Sequence, residues 1–377
     1  MTFRLPPYPY DRLAGLAETA DAHPGGMVDC SVGTPCDPPL PAVVEALGSS
    51  GTERGYPASA GSPQLREAAA AWLCRRFGLL DLPMDAVAAC VGTKEFVASV
   101  PHLLRLRRPD LDTVLYPAVS YPTYAMGAEL AGCRAVAVPP LPGRVGGLDL
   151  DAVAPDEAAR ALVLWSNSPS NPTGGLGDLG AEAAWGRARG VPVFSDECYA
   201  EFTWDGPPRS VLEHGLDGVV AVHSLSKRSN LAGVRVGFYA GDAELVEFLR
   251  AVRQHAGLMV PGPAQAAAVV ALEDEAHVGE QRDRYLDRLD YLAGVLGDYG
   301  CEVGRPEGGF YLWVPVPEGR WSDAWAMAAA LAADGGLLVS PGDLYGEGGA
   351  GHVRVAAVQP LERLALVGER LGRVSHG

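Results

Sequence analysis

The chain has 377 residues, of which 48% are hydrophobic and 20% are charged, and its formal net charge is −16. This length is typical of two domains or of one large α/β unit, and either is large enough to enclose a pocket. The acidic balance argues against nucleic acid and anionic membrane surfaces as partners, because both attract basic patches.

The sequence carries no pattern of a targeting signal, a membrane span or a metal site. Its first residues, MTFRLPPYPYDRL, lack the apolar core of a signal peptide, and no apolar stretch reaches the roughly 20 residues of a membrane span. The seven cysteines are odd in number and form no Cys-x-x-Cys pair, and the eight histidines are dispersed. We therefore expect a cytoplasmic protein with reduced thiols and without a bound metal.

Short apolar runs alternate with helically spaced segments from residue 64 to residue 240. The predicted helices are Gln64–Phe77, Glu95–Leu106, Tyr124–Gly132 and Leu179–Arg189. The predicted strands are Ala86–Val91, Thr113–Leu115, Arg134–Val138, Ala161–Trp165, Val191–Ser195, Val219–His223 and Arg235–Ala240. This alternation predicts an α/β fold with a mainly parallel central sheet flanked by helices.

A long helical pattern from Gly262 to Tyr299 ends the alternation. The segments after it predict a smaller α+β domain. Its predicted strands are Cys301–Val303, Phe310–Val314, Leu337–Val339 and Val353–Ala356, and its predicted helices are Ser322–Ala333 and Leu361–Leu371. We expect residues 1–45, with a helix at Pro41–Leu47, to form an N-terminal arm and part of the small domain. Residues 46–270 would then form the large domain and residues 271–377 the C-terminal small domain, with a cleft between them.

Lysine is nearly absent, since Lys94 and Lys227 are the only two in the chain. A genomic bias toward arginine explains the scarcity, and lysine is then retained where arginine cannot replace it. A primary amine forms an imine with a carbonyl compound, whereas a guanidinium stays charged. Lys227 follows the strand Val219–His223. It is either an ordinary surface lysine or an imine former whose pKa is lowered by Arg228 and Arg235.

Three polar residues follow other predicted strands. Asp196 either caps the next helix or pairs with a protonated ring nitrogen, as pyridoxal phosphate requires. Tyr199 is spaced to approach the same ring. Asn171 lies in a turn-rich loop, where it is either an ordinary loop residue or a donor to the oxygen of the ring.

The segment Gly92, Thr93 and Lys94 joins a strand to a helix, whose N-terminus presents free backbone N–H groups to an anion. No Gly-x-Gly-x-x-Gly or Walker pattern occurs in the sequence, which disfavours dinucleotide and nucleoside triphosphate binding. Lys94 then serves this phosphate loop, which leaves Lys227 as the imine former. Further phosphate donors are supplied by Ser224, Ser226 and Arg235.

Arg354 lies on an alternating strand of the small domain. It is either part of an edge salt bridge or a bidentate clamp for a substrate carboxylate. Each of these residues has an ordinary explanation by itself. A lysine, an aspartate, an asparagine and a phosphate loop at the strand ends of one sheet together favour a cofactor site.

The chain resembles the fold-type I aminotransferases of class I/II over nearly its whole length. The matching stretches are SVGTPCDPP, GYPASAGSPQLREA, GTKE, SYPTY, NSPSNPTGG, SDECY, SLSKRSNLAGVRVGF and HVRVA. The order and spacing of these stretches make the resemblance specific. It implies a pyridoxal-phosphate enzyme that performs ping-pong transamination, with Lys227 as the Schiff-base lysine that moves a proton between the substrate Cα and the cofactor C4′.

The resemblance also implies roles for the other candidates. Asp196 would pair with the pyridinium nitrogen, Asn171 and Tyr199 with the ring oxygen, and Tyr121 would stack on the ring. The phosphate ligands would be Gly92, Thr93, Lys94, Ser224 and Arg235. Arg354 and the backbone at Gly33 would bind the α-carboxylate. Tyr56 would reach the phosphate of a neighbouring subunit, which implies a homodimer with shared sites.

Within this family the chain is most similar to N-succinyldiaminopimelate aminotransferases of lysine biosynthesis, on the stretches LPPYPYDRL, SVGTPCDPP and RQHAGLMVPGPAQAA. The pair Tyr8 and Tyr10 and the segment 358–360 depart from that pattern, and both regions are candidates for the wall of the side-chain pocket. For a distal carboxylate of the substrate, the candidate residues are Arg4, Arg54 and Arg305.

Alternative functions share the same lysine and aspartate. Fold-type I carbon–sulfur lyases stay open, whereas Arg354 disfavours decarboxylation because a clamped carboxylate is hard to lose. A transaminase for another amino acid or for a secondary-metabolite pathway is a further alternative. A pyridoxal-phosphate-sensing regulator would need an appended basic DNA-binding domain, and this chain is acidic.

Overall fold

The structure is a computed structural model and describes residues 8–375. Its first segment contains helix α1 (Ala14–Asp21), strand β1 (Val28–Asp29) and helix α2 (Pro41–Ser49). The sequence predicted α2 but not α1. Strand β1 pairs in parallel with a strand of the C-terminal part of the chain, with Val28 opposite Leu337. The N-terminal segment therefore packs with the C-terminal part.

Seven strands form the large sheet of the molecule, in the order β2-β8-β7-β6-β5-β3-β4. They are β2 (Val87–Cys90), β3 (Thr113–Pro117), β4 (Arg134–Val138), β5 (Ala161–Asn167), β6 (Val193–Asp196), β7 (Val219–Ser224) and β8 (Gly237–Gly241). Only β8 runs antiparallel to its neighbours in this sheet. The mainly parallel sheet predicted from the sequence is confirmed.

Helices cover both faces of the large sheet, where two separate apolar clusters pack. They are α3 (Pro63–Phe77), α4 (Thr93–Arg107), α5 (Thr123–Leu130), α6 (Pro155–Ala159), α7 (Leu179–Arg189), α8 (Leu225–Arg228), α9 (Ala243–His255) and α10 (Gly262–Glu273). Capping explains the bounds of α7, because the Asp178 side chain accepts the Ala181 N–H and the left-handed Gly190 ends the helix.

The long helical pattern from Gly262 is interrupted, and α11 (Ala276–Asp298) is a separate helix. The break lies at Asp274, whose backbone is extended and whose Oδ1 accepts the N–H of His277 at 2.9 Å. This bond satisfies a backbone donor in the first turn of α11. The helical pattern predicted from Gly262 to Tyr299 is confirmed, but it consists of two helices, because a side chain recaps the chain in its middle.

The small sheet contains β9 (Tyr311–Pro315), β11 (Ser340–Pro341) and β12 (His352–Ala356), in the antiparallel order β11-β12-β9. Strand β10 (Leu337–Leu338) pairs with β1, and helices α12 (Ala324–Gly335) and α13 (Leu361–Ser375) complete the unit around an apolar cluster of its own. The predicted strand Cys301–Val303 is wrong. The Cys301 N–H bonds to the Leu296 carbonyl at 2.9 Å, so this segment closes α11 instead of joining a sheet.

The carboxyl ends of β5, β6 and β7 lie side by side, with Asn167 opposite Asp196 in the register. Parallel sheets bind ligands at this edge. Residues of the small sheet face the same edge, since Arg354 of β12 contacts Asn171 just beyond β5. In residues 8–375, no helix is long and apolar enough to cross a membrane.

Candidate active site

A cavity of about 390 Å³ lies at this edge and gathers almost all of the predicted site residues. Those that line it are Gly33, Thr93, Lys94, Tyr121, Asn171, Asp196, Tyr199, Ser224, Ser226, Lys227, Arg235 and Arg354. Gly92 lies directly behind the Arg235 guanidinium. Tyr56 does not line the cavity, and its side chain is 99% exposed.

Lys227 lies on the short helix α8 at the end of β7. The Ser224 hydroxyl starts this helix by accepting the Ser226 N–H at 3.1 Å, and the Lys227 Nζ donates to the Gly33 carbonyl. The pKa of Lys227 is lowered from its ordinary 10.5 to about 8, chiefly by burial; the charges of Arg354 and Arg235 also lower it, whereas Cys198 and Asp196 oppose the change. A substantial part of this amine is therefore neutral near pH 8, as a nucleophile requires.

Arg228 is not among the main causes of this lowering, which corrects the expectation from the sequence. Its side chain points away from the cavity, where Nη1 donates to the Ala271 carbonyl at 2.7 Å and Nε lies 3.3 Å from Glu201 Oε1. Neighbours on a helix point in different directions, so closeness in sequence to Lys227 did not bring the two charges together.

Asp196 ends β6 and is buried, with two hydrogen-bond donors on its carboxylate. The Tyr124 hydroxyl donates to Oδ2 at 2.9 Å, and the Cys198 N–H donates to Oδ1 at 3.2 Å. Burial raises the pKa of Asp196, and the bonds from Cys198 and Tyr124 oppose that rise. Asp196 is not the N-cap of a helix here, because Tyr199 precedes the next helical turn. A buried carboxylate of this kind suits a cationic ring nitrogen.

Another part of the cavity wall is cationic. Helix α4 begins after Gly92, which no side chain caps, and the Arg235 guanidinium lies against this glycine. Gly92 has a φ of 78°, and a Cβ there would overlap with the guanidinium, so only glycine fits. Free N–H groups at a helix start next to an arginine form an anion site.

The Lys94 side chain lies at the rim of the cavity. Its Nζ donates to the Tyr8 hydroxyl at 3.2 Å and lies 4.9 Å from the centre of the Tyr8 ring. In this position only the backbone of Lys94 belongs to the helix start, while its charge faces the N-terminal segment. Tyr8 and Tyr10 line the cavity as well.

Arg354 faces Lys227 across the cavity and is 1% exposed. Its Nη1 donates to Asn171 Oδ1 at 2.7 Å and its Nη2 donates to the Ser31 carbonyl. The guanidinium lies between the rings of Tyr311 and Tyr345, 4.3 and 4.6 Å from their centres. Among residues 8–375 no carboxylate forms an ion pair with it, so the edge salt bridge is wrong. With five N–H donors, the guanidinium retains a pair for a carboxylate.

Further residues line the cavity that were not singled out from the sequence, among them Tyr124, Asn167, Cys198 and Tyr311. Asn167 fixes the loop that follows it, because its Oδ1 accepts the Asn171 N–H and its Nδ2 donates to the Asp196 carbonyl, both at 2.8 Å. The sequence contained a signal for Asn167 and Tyr124, since each lies in a matching stretch next to a candidate. Tyr311 had none beyond its place on a predicted strand.

The cavity fits pyridoxal phosphate in three respects. An anion site formed by the start of α4 and Arg235 suits the phosphate, the buried Asp196 suits the ring nitrogen, and Lys227 lines the same cavity. Of the arginines proposed for a distal carboxylate, Arg305 is bound to Asp290 at 2.6 Å outside the cavity and Arg54 does not line it. Arg4 lies outside the described residues.

Comparisons with known proteins agree with this geometry. The family model described as aminotransferase class I and II matches residues 26–368. A probable aminotransferase of Mycobacterium tuberculosis is 46% identical over 376 residues, which covers 97% of this chain and 85% of the relative. The 4-dedimethylamino-4-oxo-anhydrotetracycline transaminase OxyQ of Streptomyces rimosus is 42% identical, over 97% of this chain and 99% of the relative.

Two proteins of diaminopimelate metabolism are also similar to the chain. An LL-diaminopimelate aminotransferase of Desulforudis audaxviator is 34% identical, over 98% of this chain and 97% of the relative. The solved structure of a probable N-succinyldiaminopimelate aminotransferase of Thermus thermophilus superposes with a TM-score of 0.86 at 30% identity, covering 97% of this chain and 100% of that one.

Proposed function

The chain belongs to the class I and II aminotransferases, which are pyridoxal-phosphate-dependent transaminases, and on that premise we propose that it carries an amino group from glutamate to a keto-acid or semialdehyde acceptor. We assign the acceptor to lysine biosynthesis, as N-succinyl-2-amino-6-oxopimelate. The names of the Desulforudis and Thermus proteins support a diaminopimelate-type substrate. The observation that carries the proposal is that Lys227, Asp196 and Arg354 line the same cavity.

Each of these residues has one task in the reaction. When bound, the protonated ring of pyridoxal phosphate withdraws electrons from the substrate Cα. Asp196 holds the proton on the ring nitrogen. Arg354 orients the substrate by its α-carboxylate, and the Nζ of Lys227 is the base that removes the Cα proton. The low pKa of Lys227 allows it to act both as base and as acid near neutral pH.

A second carboxylate on the acceptor needs a further cation. Four lysine and arginine side chains line the cavity among the described residues. Besides Lys227, Arg235 and Arg354, the fourth is Lys94. Its Nζ lies at the rim with the Tyr8 hydroxyl, within the part of the cavity that the N-terminal segment covers. This pair supports an acceptor with a carboxylate at its far end.

A coupled assay tests the substrate assignment. The purified holoenzyme is given glutamate and a panel of acceptors that includes N-succinyl-2-amino-6-oxopimelate, and the formation of 2-oxoglutarate is measured. The proposal expects this acceptor to have the highest kcat/KM in the panel and expects Lys227→Ala to be inactive. In a separate reaction with cystathionine and no acceptor, release of pyruvate, ammonia and the thiol would instead identify a carbon–sulfur lyase.

The Streptomyces relative supports a second candidate, an aminotransferase of a secondary-metabolite pathway, because it is more similar to this chain than the diaminopimelate enzymes are. The same panel separates the two functions if it contains a polycyclic aromatic ketone. A kcat/KM for that ketone far above the value for the succinylated acceptor would select the second candidate.

We also propose a homodimer in which Tyr56 completes the site of the other subunit. The 99% exposure of its side chain in the single chain supports this role, because the phenol is free to contact a neighbouring subunit. Mixed dimers of Tyr56→Phe and Lys227→Ala subunits test it. A tyrosine acting on its neighbour restores one intact site per dimer, whereas a tyrosine acting within its own chain leaves only sites with the defect of Tyr56→Phe.

A further inference from the structure

Tyr311 contacts both halves of the site, although its role is not explained by the reaction as described above. It lies on β9 of the small sheet and is 1% exposed. Its hydroxyl forms a 2.8 Å hydrogen bond with the Tyr199 hydroxyl, on the cofactor side of the cavity. Its ring lies 4.3 Å from the Arg354 guanidinium, on the substrate side.

The surroundings keep the Tyr311 side chain in this position. A Cβ at position 33 would overlap with the Tyr311 hydroxyl, so Gly33 leaves the space that this phenol occupies. The ring also packs at 5.5 Å against the Tyr199 ring and at 4.8 Å against Phe310. Because Gly33 is also the acceptor for the Lys227 Nζ, the phenol lies beside the reacting amine as well.

We propose that Tyr311 is a positioning residue that ties cofactor binding to recognition of the substrate carboxylate. Its hydroxyl orients Tyr199 toward the ring oxygen of the cofactor. Its ring packs on the Arg354 guanidinium and keeps that group in the orientation that binds the carboxylate. This inference rests on the proposed roles of Tyr199 and Arg354. Tyr345 covers only the other face of the guanidinium, at 4.6 Å, and does not bond to Tyr199.

The two functions of Tyr311 are separable by substitution. Tyr311→Phe keeps the ring over Arg354 and removes the bond to Tyr199. Tyr345→Leu removes the other ring from Arg354 and keeps that bond. Tyr311→Leu removes both contacts, and thermal unfolding of each variant checks that it is folded.

Two measurements on the holoenzymes test the proposal, namely the pH titration of the cofactor absorbance and the KM for the amino donor. We expect Tyr311→Phe to shift the titration midpoint with a KM within about twofold of the wild type, since the ring remains. We expect Tyr345→Leu to leave the midpoint unchanged and to raise the KM by about two- to thirtyfold, the range of a cation–π contact. Tyr311→Leu should change both quantities.

The outcomes distinguish this inference from the proposed function. A wild-type protein that shows no cofactor absorbance and no reaction with glutamate would contradict the proposed function itself. If the wild type is active and folded Tyr311→Phe titrates as the wild type does, or folded Tyr311→Leu keeps the wild-type KM, Tyr311 only fills space and the inference is wrong.

Discussion

The lowered pKa of Lys227 leads to a quantitative prediction for cofactor attachment. With a pKa of about 8 the amine is about 10% neutral at pH 7, against about 0.03% for a lysine at 10.5, because each unit is a factor of ten. Only the neutral amine attacks the aldehyde of pyridoxal phosphate. At pH 7 we therefore expect attachment to be about 300-fold faster than at an ordinary lysine of the same intrinsic reactivity.

The assay uses cofactor-free protein mixed with pyridoxal phosphate in buffers from pH 6 to pH 10. The attachment rate is followed by the visible absorbance, and the modified residue is identified by mass after borohydride reduction. The rate should rise about tenfold per unit below pH 8 and level off above it. A rate that still rises tenfold per unit at pH 9 to 10 would refute the argument, because Lys227 would then keep its ordinary pKa.

The scarcity of lysine supplies matched controls. In Lys94→Arg the only lysine left is Lys227, and in Lys227→Arg the only one left is Lys94. The first variant should keep the plateau above pH 8, and the second should show no specific attachment.

The same lowered pKa has a consequence for stability. Relative to Lys227→Met, the cofactor-free protein should become more stable as pH rises from about 8 to 10.5, because the unfolded chain binds the extra proton in that range.

Three further predictions concern the rest of the cavity. Arg354→Lys should raise the KM for the amino donor by about tenfold or more with little change in cofactor affinity, since a lysine cannot make the bidentate contact or lie between two rings; measurement of both constants checks this. Tyr124→Phe removes a donor from Asp196, raises the pKa of that carboxyl further and moves the acid limb of the kcat profile to higher pH, with kcat about tenfold lower or less, as a pH series will show. Gly92→Ala should weaken pyridoxal phosphate binding in an equilibrium titration, because its Cβ displaces Arg235, whereas Gly233→Ala, where a Cβ meets open space, is the control.

Local signals explain why much of the fold could be predicted. Helix α7 has the predicted bounds because Asp178 before it and Gly190 after it are read directly from the sequence. The strands of the large sheet were recognisable as apolar runs, since both faces of a parallel sheet are covered. The break at Asp274 was missed because the side-chain bond to His277 competes with an uninterrupted helical pattern. Helix α1 was missed in a segment rich in proline.

The sequence by itself determined which chemical groups the protein has and at which strand ends they lie. Lys227, Asp196 and Asn171 each follow an apolar run, and parallel strands bring such positions to one edge of the sheet. The direction of each side chain was decided only by the tertiary structure. Arg228 turns away from its neighbour Lys227, whereas Tyr311 reaches Tyr199 from 112 residues away.

The pKa of the reacting amine also belongs to the tertiary structure. The largest cause of its lowered pKa is burial, and the largest of the charges that lower it is that of Arg354, which is distant in sequence. A lysine on a loop and a lysine at the bottom of a cavity have the same sequence signal. What separates them is the loss of water around the ammonium group, and that loss exists only once the chain has folded.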